Sequence, residues 1–343
     1  MDPITNTLKK TIVEEVAGQI LAEIKKAKSI LLHCHPSPDP DSVGSALAMK
    51  FAIEQLGGKA TIIKGDSQFP KAFEHFPGAD SILMKSYWEI DPSEYDLMII
   101  QDADLRGVSR EPYIDKLPEN MMVINIDHHR TNKGDGKINL IDPSYPACAE
   151  LLYDLFKSMG IAITQEIAIN LYVGIYTDTG GFKYEGVTQR TYIAGGELFS
   201  IYPDMSKVIQ KMENSNSIHD LDFLGLGFSC LEQVLDNKVL LSVIPYSKIM
   251  EKQIPEGSIK AGLISAQIRT VEGFIFSASL IEAKPNQVRV SIRSSDSKKY
   301  DVAKLAQSLG GGGHPAASGI SMVCHIDEAK KLLVQKAKEL FNL

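Results

Sequence analysis

The chain has 343 residues, 44% hydrophobic and 23% charged, with a formal net charge of -7. That length exceeds one ordinary core and suggests two domains, and the composition is that of a globular protein rather than a disordered or fibrous one. The acidic balance argues against a broad grip on long nucleic acid, which needs many phosphate contacts from a basic surface; with 7% aromatic residues and a lone Trp88, no stacking stripe for single strands stands out either. No apolar run reaches bilayer length, and the opening MDPITNTLKK lacks the apolar stretch of a signal peptide. Cys34, Cys148, Cys230 and Cys324 form no CxxC pair, so neither a zinc knuckle nor a disulfide framework is expected, and a reducing cytoplasm fits.

Ile12, Val13, Val16, Ile20, Leu21 and Ile24 recur at helical spacing and predict an amphipathic opening helix. A strand follows over Ile30 to Leu32, then His33-Cys34-His35, a Pro/Asp-rich turn and a helix from Val43 to Leu56. Lys59 to Lys64, Leu97 to Gln101 and Met121 to Ile126 read as further strands, continuous rather than alternating in hydrophobicity, which implies a parallel sheet covered on both faces. Residues 148–177 read as two helices, the second stopped by Gly180 and Gly181. A polar helical connector with an Asn/Ser cluster separates this half from strand-like runs (VLLSVIP, AGLI, GFIFSASLIEA and VRVSIRS), a glycine cluster and a terminal helix over Ile326 to Leu340. The expected division is 1–205, a linker over 206–235, and a smaller α+β domain over 236–343.

Four segments bring Asp and His to the ends of these elements. His35, Asp39 and Asp41 lie within seven residues, with Pro38 and Pro40 stiffening the turn. Alone, this turn reads better as a helix cap than as a site. Asp102 and Asp104 follow the strand over Leu97 to Gln101, and Asp127-His128-His129 the strand over Met121 to Ile126. Asp178 closes a helix, where the dipole disfavours a carboxylate unless a cation is near. Carboxylates with imidazole suit manganese and similar borderline metals, and four such ends supply enough ligands for two ions sharing a bridging group.

These segments resemble the DHH phosphoesterases, whose naming triplet stands here as Asp127-His128-His129; His35…Asp39-Pro-Asp41…Gly44-Ser45, YDLMIIQDAD, NIDHHRTN and GIYTDTGGF match the family's motifs in order and spacing. The second half is similar to the DHHA1 module through Val290 to Ser294 and the segment LGGGGHPAASG, and the two-domain layout resembles the nanoRNase and 3′-phosphoadenosine-5′-phosphate phosphatase group. The resemblance implies an α/β fold, with an N-terminal parallel-sheet DHH domain carrying helices on both faces and a smaller C-terminal α+β DHHA1 domain. It implies that His35, Asp39, Asp41, Asp102, His128 and Asp178 bind two manganese ions, with magnesium or cobalt as substitutes, and that Asp102 bridges them. His129 would face the substrate phosphate, Asp127 would orient a histidine, and Arg293, Ser294, Gly311, Gly312, Gly313 and His314 would contact substrate.

Two features depart from the family pattern: Ala147-Cys148-Ala149 stands where hydroxyl residues commonly precede a Glu, and Asp104 follows Asp102 closely, Asp102 being chosen for its distance from Tyr95-Asp96-Leu97. The expected activity is hydrolysis of oligoribonucleotides a few units long to 5′-mononucleotides and of 3′-phosphoadenosine-5′-phosphate to AMP. Alternatives are hydrolysis of pApA or cyclic di-AMP, a pyrophosphatase or exopolyphosphatase, against which the glycine-His segment argues, and a nucleotide-binding regulatory module, against which the complete ligand set argues. The expected partners are short RNA and small nucleotides, with no membrane and no long DNA; the long helices fit a homodimer.

Overall fold

Strands that are apolar on both sides need a sheet covered on both sides, and the first half of the chain builds one. The computed structural model describes residues 12–110, 112–214 and 216–343 and divides into two units, Met1–Ser215 and Asn216–Leu343. The first unit runs α1 (Ile12–Lys26), β1 (Ile30–His33), α2 (Pro40–Gln55), β2 (Ala60–Ile63), β3 (Ile82–Leu83), β4 (Leu97–Gln101), β5 (Met122–Asp127), β6 (Ile138–Ile141), α3 (Cys148–Met159), α4 (Gln165–Asp178), α5 (Gln189–Ile201) and α6 (Met205–Glu213). Its six strands lie in the order β3-β2-β1-β4-β5-β6, all parallel. The chain leaves β1 for β2 on one side and resumes with β4 on the other, so β1 and β4 flank the switch point beyond which ligands bind in such sheets.

One face of the sheet, including Ile30, Leu32, Ile62, Leu97, Ile99, Ile124 and Ile126, is buried in the main core with the helices. The other face, including Leu31, Ile63, Met98, Ile100 and Val123, is covered by loops and single 3-10 turns bearing Tyr87, Val108 and Ile114. Short β3 and β6 add to the strands expected from sequence. Helix α2 is buried nearly all round, from Asp41 to Met49, which explains why its sequence carries little polar face. Its packing on α4 is close because two glycines allow it. A Cβ on Gly44 would lie 2.3 Å from the Asn170 carbonyl oxygen, and one on Gly174 would lie 2.6 Å from Asp41 Oδ1 and 2.7 Å from Ala149 Cβ.

The second unit runs α7 (Ile218–Ser229), β7 (Leu231–Val234), β8 (Val239–Ile244), α8 (Tyr246–Glu251), α9 (Ala261–Ile268), β9 (Phe276–Lys284), β10 (Gln287–Ser294), α10 (Val302–Gln307), β11 (Gly312–His314), β12 (Ala317–Val323) and α11 (Ile326–Phe341). The strand order is β11-β12-β10-β9-β8-β7, antiparallel throughout except for β8 with β9. Separate apolar clusters cover its two faces. The stretch 206–235, read from sequence as a linker, is shared out: α6 belongs to the first unit, and α7 and β7 to the second. The AGLI run, read as strand-like, is the start of α9, where Ile264 and Ile268 are buried one helical turn apart; apolar runs this short fit either period. The glycine cluster forms edge strand β11 and its hairpin with β12. Among the described residues no helix is long and apolar enough to cross a membrane.

The glycine contact makes a prediction with an internal control. Gly44→Ala is expected to lower stability by about 1–3 kcal/mol, the usual cost of overpacking. Gly18→Ala, on α1 with open space around the added methyl, should raise it by about 0.5–1 kcal/mol. Urea denaturation of both variants checks this.

Candidate metal centre

Every acidic and histidine residue singled out in the first half of the sequence lies at the carboxyl edge of the parallel sheet or at a helix end facing it. His35 follows β1, Asp102 follows β4, Asp127 ends β5 with His128 and His129 after it, and Asp178 is the last residue of α4. Asp39 caps α2, accepting from Ser42 N at 2.9 Å, with Pro40 as the first helical residue. The Ser42 hydroxyl accepts in turn from His35 N at 2.9 Å, so the turn closes on itself.

The fully buried Asp41 carboxylate accepts from Cys148 N at 2.7 Å and Ala149 N at 2.9 Å. These are the first amides of α3, whose own N-cap position, Ala147, has no capping side chain. Asp41 therefore caps a helix more than a hundred residues away, with the helix dipole favouring its charge.

Two sets of donor atoms result. His35 Nε2 lies 3.1 Å from Asp39 Oδ2 and 3.8 Å from Asp102 Oδ2. His128 Nε2 lies 3.3 Å from Asp102 Oδ1, 3.5 Å from Asp178 Oδ2 and 3.8 Å from Asp41 Oδ2. Asp102 faces both sets, one oxygen to each. Its backbone has φ of 56°, the left-handed region that Asp tolerates better than most residues and that recurs at functional sites. Asp104 points elsewhere: its Oδ1 accepts from Gly107 N at 2.9 Å and caps the next turn. That explains two acidic residues so close together with only one in the cluster.

The histidines are oriented from behind. His128 Nδ1 lies 3.2 Å from the Tyr145 carbonyl, an acceptor, so in the neutral ring Nδ1 carries the proton and Nε2 keeps a lone pair that could hold a metal. Asp127 Oδ1 accepts from His129 Nδ1 at 2.7 Å, and its Oδ2 accepts from Asn132 Nδ2 at 2.7 Å. Asn132 was legible as a neighbour in NIDHHRTN, whereas the Tyr145 carbonyl has no side-chain signal in the sequence.

The charges strain against each other. Burial lifts Asp102 well above the usual carboxylate range, and the Asp41 and Asp39 carboxylates lift it further; burial, Asp41 and Asp39 do the same to Asp178. Burial would also raise Asp39, but His35 outweighs it and holds Asp39 down at about 2. For Asp127, burial is outweighed by the His129 hydrogen bond and charge. Asp102 Oδ1 is buried with no hydrogen-bond donor, a situation that costs about 1–3 kcal/mol for an ordinary polar group and more for a charged one. A divalent cation removes both costs together, and carboxylate oxygens with imidazole nitrogens are a donor set that such a cation accepts. The cluster fits a metal.

The second-unit residues are placed by the strands of their own sheet. Arg293 pairs with Ala317, which pairs with His314, so Arg293 and His314 stand in one row across three strands, about 10 Å apart at the backbone. Arg293 Nη1 donates to Ser291 Oγ and the Ile292 carbonyl, both at 3.0 Å, and Ser294 Oγ donates to the Tyr300 carbonyl at 2.7 Å. Gly311 is held so tightly that a Cβ would lie 2.2 Å from the Gly319 carbonyl, Gly313 has φ of 132°, and Gly312 has open space at its Cβ position.

A stability test follows from the repulsion. Because the folded-state pKa of Asp102 is raised, its ionisation opposes folding above the ordinary value of 3.8 and not below it. In metal-free protein at neutral pH, Asp102→Asn is expected to melt higher than wild type, by about 2–4 °C per kcal/mol relieved, and the gain should vanish as pH falls towards 4. Adding manganese should reverse the order, since ligand at about 100 times its Kd stabilises the folded state by about 2.7 kcal/mol. Thermal melts with chelator and with manganese read both effects.

With this geometry in place, comparisons with known proteins are informative. The DHH family N-terminal domain matches residues 29–175 and the DHHA1 domain matches residues 258–342. The chain is 27% identical over 328 residues to the bifunctional oligoribonuclease and PAP phosphatase NrnA of Thermus thermophilus, covering 94% of this chain and 93% of that protein. Among solved structures it resembles an exopolyphosphatase-related protein from Bacteroides fragilis, with a TM-score of 0.85, 25% identity and coverage of 98% and 99% of the two chains. It also shares its fold with RecJ of Thermus thermophilus in complex with Mn2+, at a TM-score of 0.53 and 15% identity, covering 98% of this chain and 56% of that one. The chain belongs to the DHH family of phosphoesterases, with a DHHA1 domain following its DHH domain.

Proposed function

We propose that this phosphoesterase is a manganese-dependent enzyme that hydrolyses oligoribonucleotides a few units long to 5′-mononucleotides, and 3′-phosphoadenosine-5′-phosphate to AMP. The observation that carries the reading is the division of the cluster into two donor sets with Asp102 facing both. His35, Asp39 and Asp102 would hold one ion, and Asp41, His128, Asp178 and Asp102 the other. The substrate class rests on the relatives named oligoribonuclease and PAP phosphatase, and the choice of manganese on the mixed carboxylate and imidazole donors.

When bound, divalent cations here supply Lewis-acid stabilisation of a phosphoryl group and activation of water. The chain's own groups do the rest. Asp127 fixes the His129 ring through Nδ1 and, with its hydrogen bond and charge outweighing burial, raises the His129 pKa, so the ring is set to offer a proton to an anionic oxygen of the substrate. The Tyr145 carbonyl keeps the His128 proton off the ligating nitrogen. Burial raises the Asp41 pKa, and His128 and the α3 amides oppose that rise without overcoming it. In the second unit, Arg293 and His314 stand in one row of the sheet and would supply hydrogen-bond donors for a substrate phosphate.

The test is incubation with manganese and end-labelled RNA from dimer to about 24-mer, a span exceeding a small binding footprint, alongside 3′-phosphoadenosine-5′-phosphate. The expected result is preferential release of 5′-mononucleotides from the shortest RNAs, abolished by chelator and by Asp102→Ala. His129→Gln should lower kcat by about a hundredfold, the scale of losing one charge-stabilising donor. Equal activity on long RNA would instead indicate a processive exonuclease. Phosphate release from polyphosphate with none from RNA would contradict the proposal and favour the phosphoanhydride reading that the Bacteroides fragilis neighbour suggests.

A further inference from the structure

We propose that Arg190, on α5 and outside the residues matched by the DHH domain, is a positioning residue for the metal centre. The inference rests on the reading of the Asp/His cluster as that centre. One guanidinium makes three contacts: Nε donates to Glu150 Oε1 at 2.7 Å, Nη2 donates to the Ser144 carbonyl at 3.1 Å, and its central carbon sits 3.5 Å from the centroid of the Tyr145 ring. Tyr145 is held at its far end too, its hydroxyl donating to Asp154 Oδ2 at 2.7 Å.

The three contacts lead to two donors of the cluster. The Ser144 and Tyr145 contacts fix the backbone whose carbonyl accepts from His128 Nδ1, which determines the tautomer and ring direction of His128. Glu150 lies in the first turn of α3, fully buried, and the same turn presents the amides that hold Asp41. Arg190 thus ties the two backbone segments that aim His128 and Asp41, both of which face the same donor set. A planar fork that stacks and donates along two directions at once is specific to arginine; a lysine keeps the charge and loses the rest.

Removing the cation outright would leave Glu150 buried without its partner, which can unfold a protein, so two variants separate positioning from folding. Arg190→Lys keeps a positive charge near Glu150. The double variant Glu150→Gln with Arg190→Met removes both charges together. Circular dichroism reports the fold, titration of metal-free protein with Mn2+ followed by electron paramagnetic resonance of the free ion reports affinity, and steady-state kinetics separate kcat from KM. Both variants are expected to fold and to bind Mn2+ about tenfold to a hundredfold more weakly, the range for outer groups that orient ligands. For Arg190→Lys, kcat should fall at little-changed KM and recover in part with excess Mn2+. Wild-type Mn2+ affinity in either folded variant would overturn the proposal, as would loss of the fold in both, which would assign Arg190 to stability alone. Asp102→Ala is the control: if wild type binds Mn2+ no better than that variant, the reading of the centre fails and the clamp fails with it; tight binding by wild type and by Arg190→Lys alike sinks the clamp alone.

Discussion

Several carboxylates share one edge of a parallel sheet, and three of them, Asp41, Asp102 and Asp127, are almost wholly removed from water. Like charges in such a place repel strongly because little solvent screens them. Much of the first unit can be understood as the means of assembling that unfavourable group and of preparing it for a counter-ion. Burial first, and then the Asp41 and Asp39 charges, raise the pKa of Asp102 and of Asp178, and the acidic oxygens face histidine nitrogens that are themselves oriented from behind.

The backbone does much of the assembling. Strand order places the ends of β1 and β4 at the switch point, which brings His35 and Asp102 together from distant parts of the chain. Gly44 and Gly174 let α2 and α4 approach closely enough for Asp41 and Asp178, one near the start of its helix and the other at the end, to face the same histidine. The amino end of α3 compensates Asp41, and the left-handed conformation of Asp102 aims its carboxylate. A bound cation would relieve this repulsion, so metal binding and the stability of the first unit would be coupled.

The sequence carried the donors and the sheet but not the scaffolding behind them. Continuous apolar runs announce β1, β4 and β5 because strands buried on both faces have no polar side to show, and His35, Asp39, Asp41, Asp102, Asp127, His128, His129 and Asp178 stand at their ends or at helix ends. The glycine-rich segment was legible as a special backbone but not as strand β11, because glycine has no strand preference and the pairing with Ala317 to Gly319 is decided by tertiary contact. Helix α9 was misread since its apolar run is too short to reveal a period. The supports of the centre, namely the Tyr145 carbonyl, the Cys148 and Ala149 amides and the Arg190 contacts, are backbone groups or lie far from the motifs in sequence. No residue pattern encodes them, because backbone amides and carbonyls are present at nearly every position.

In the proposed centre Asp102 is shared between two ions. Electron paramagnetic resonance of the manganese-loaded protein, with the bound metal counted in the same sample, tests it directly. The account predicts two Mn2+ per chain with an exchange-coupled spectrum, and a single uncoupled ion once Asp102 is replaced by Ala. One ion per wild-type chain, or two that remain uncoupled, would contradict it.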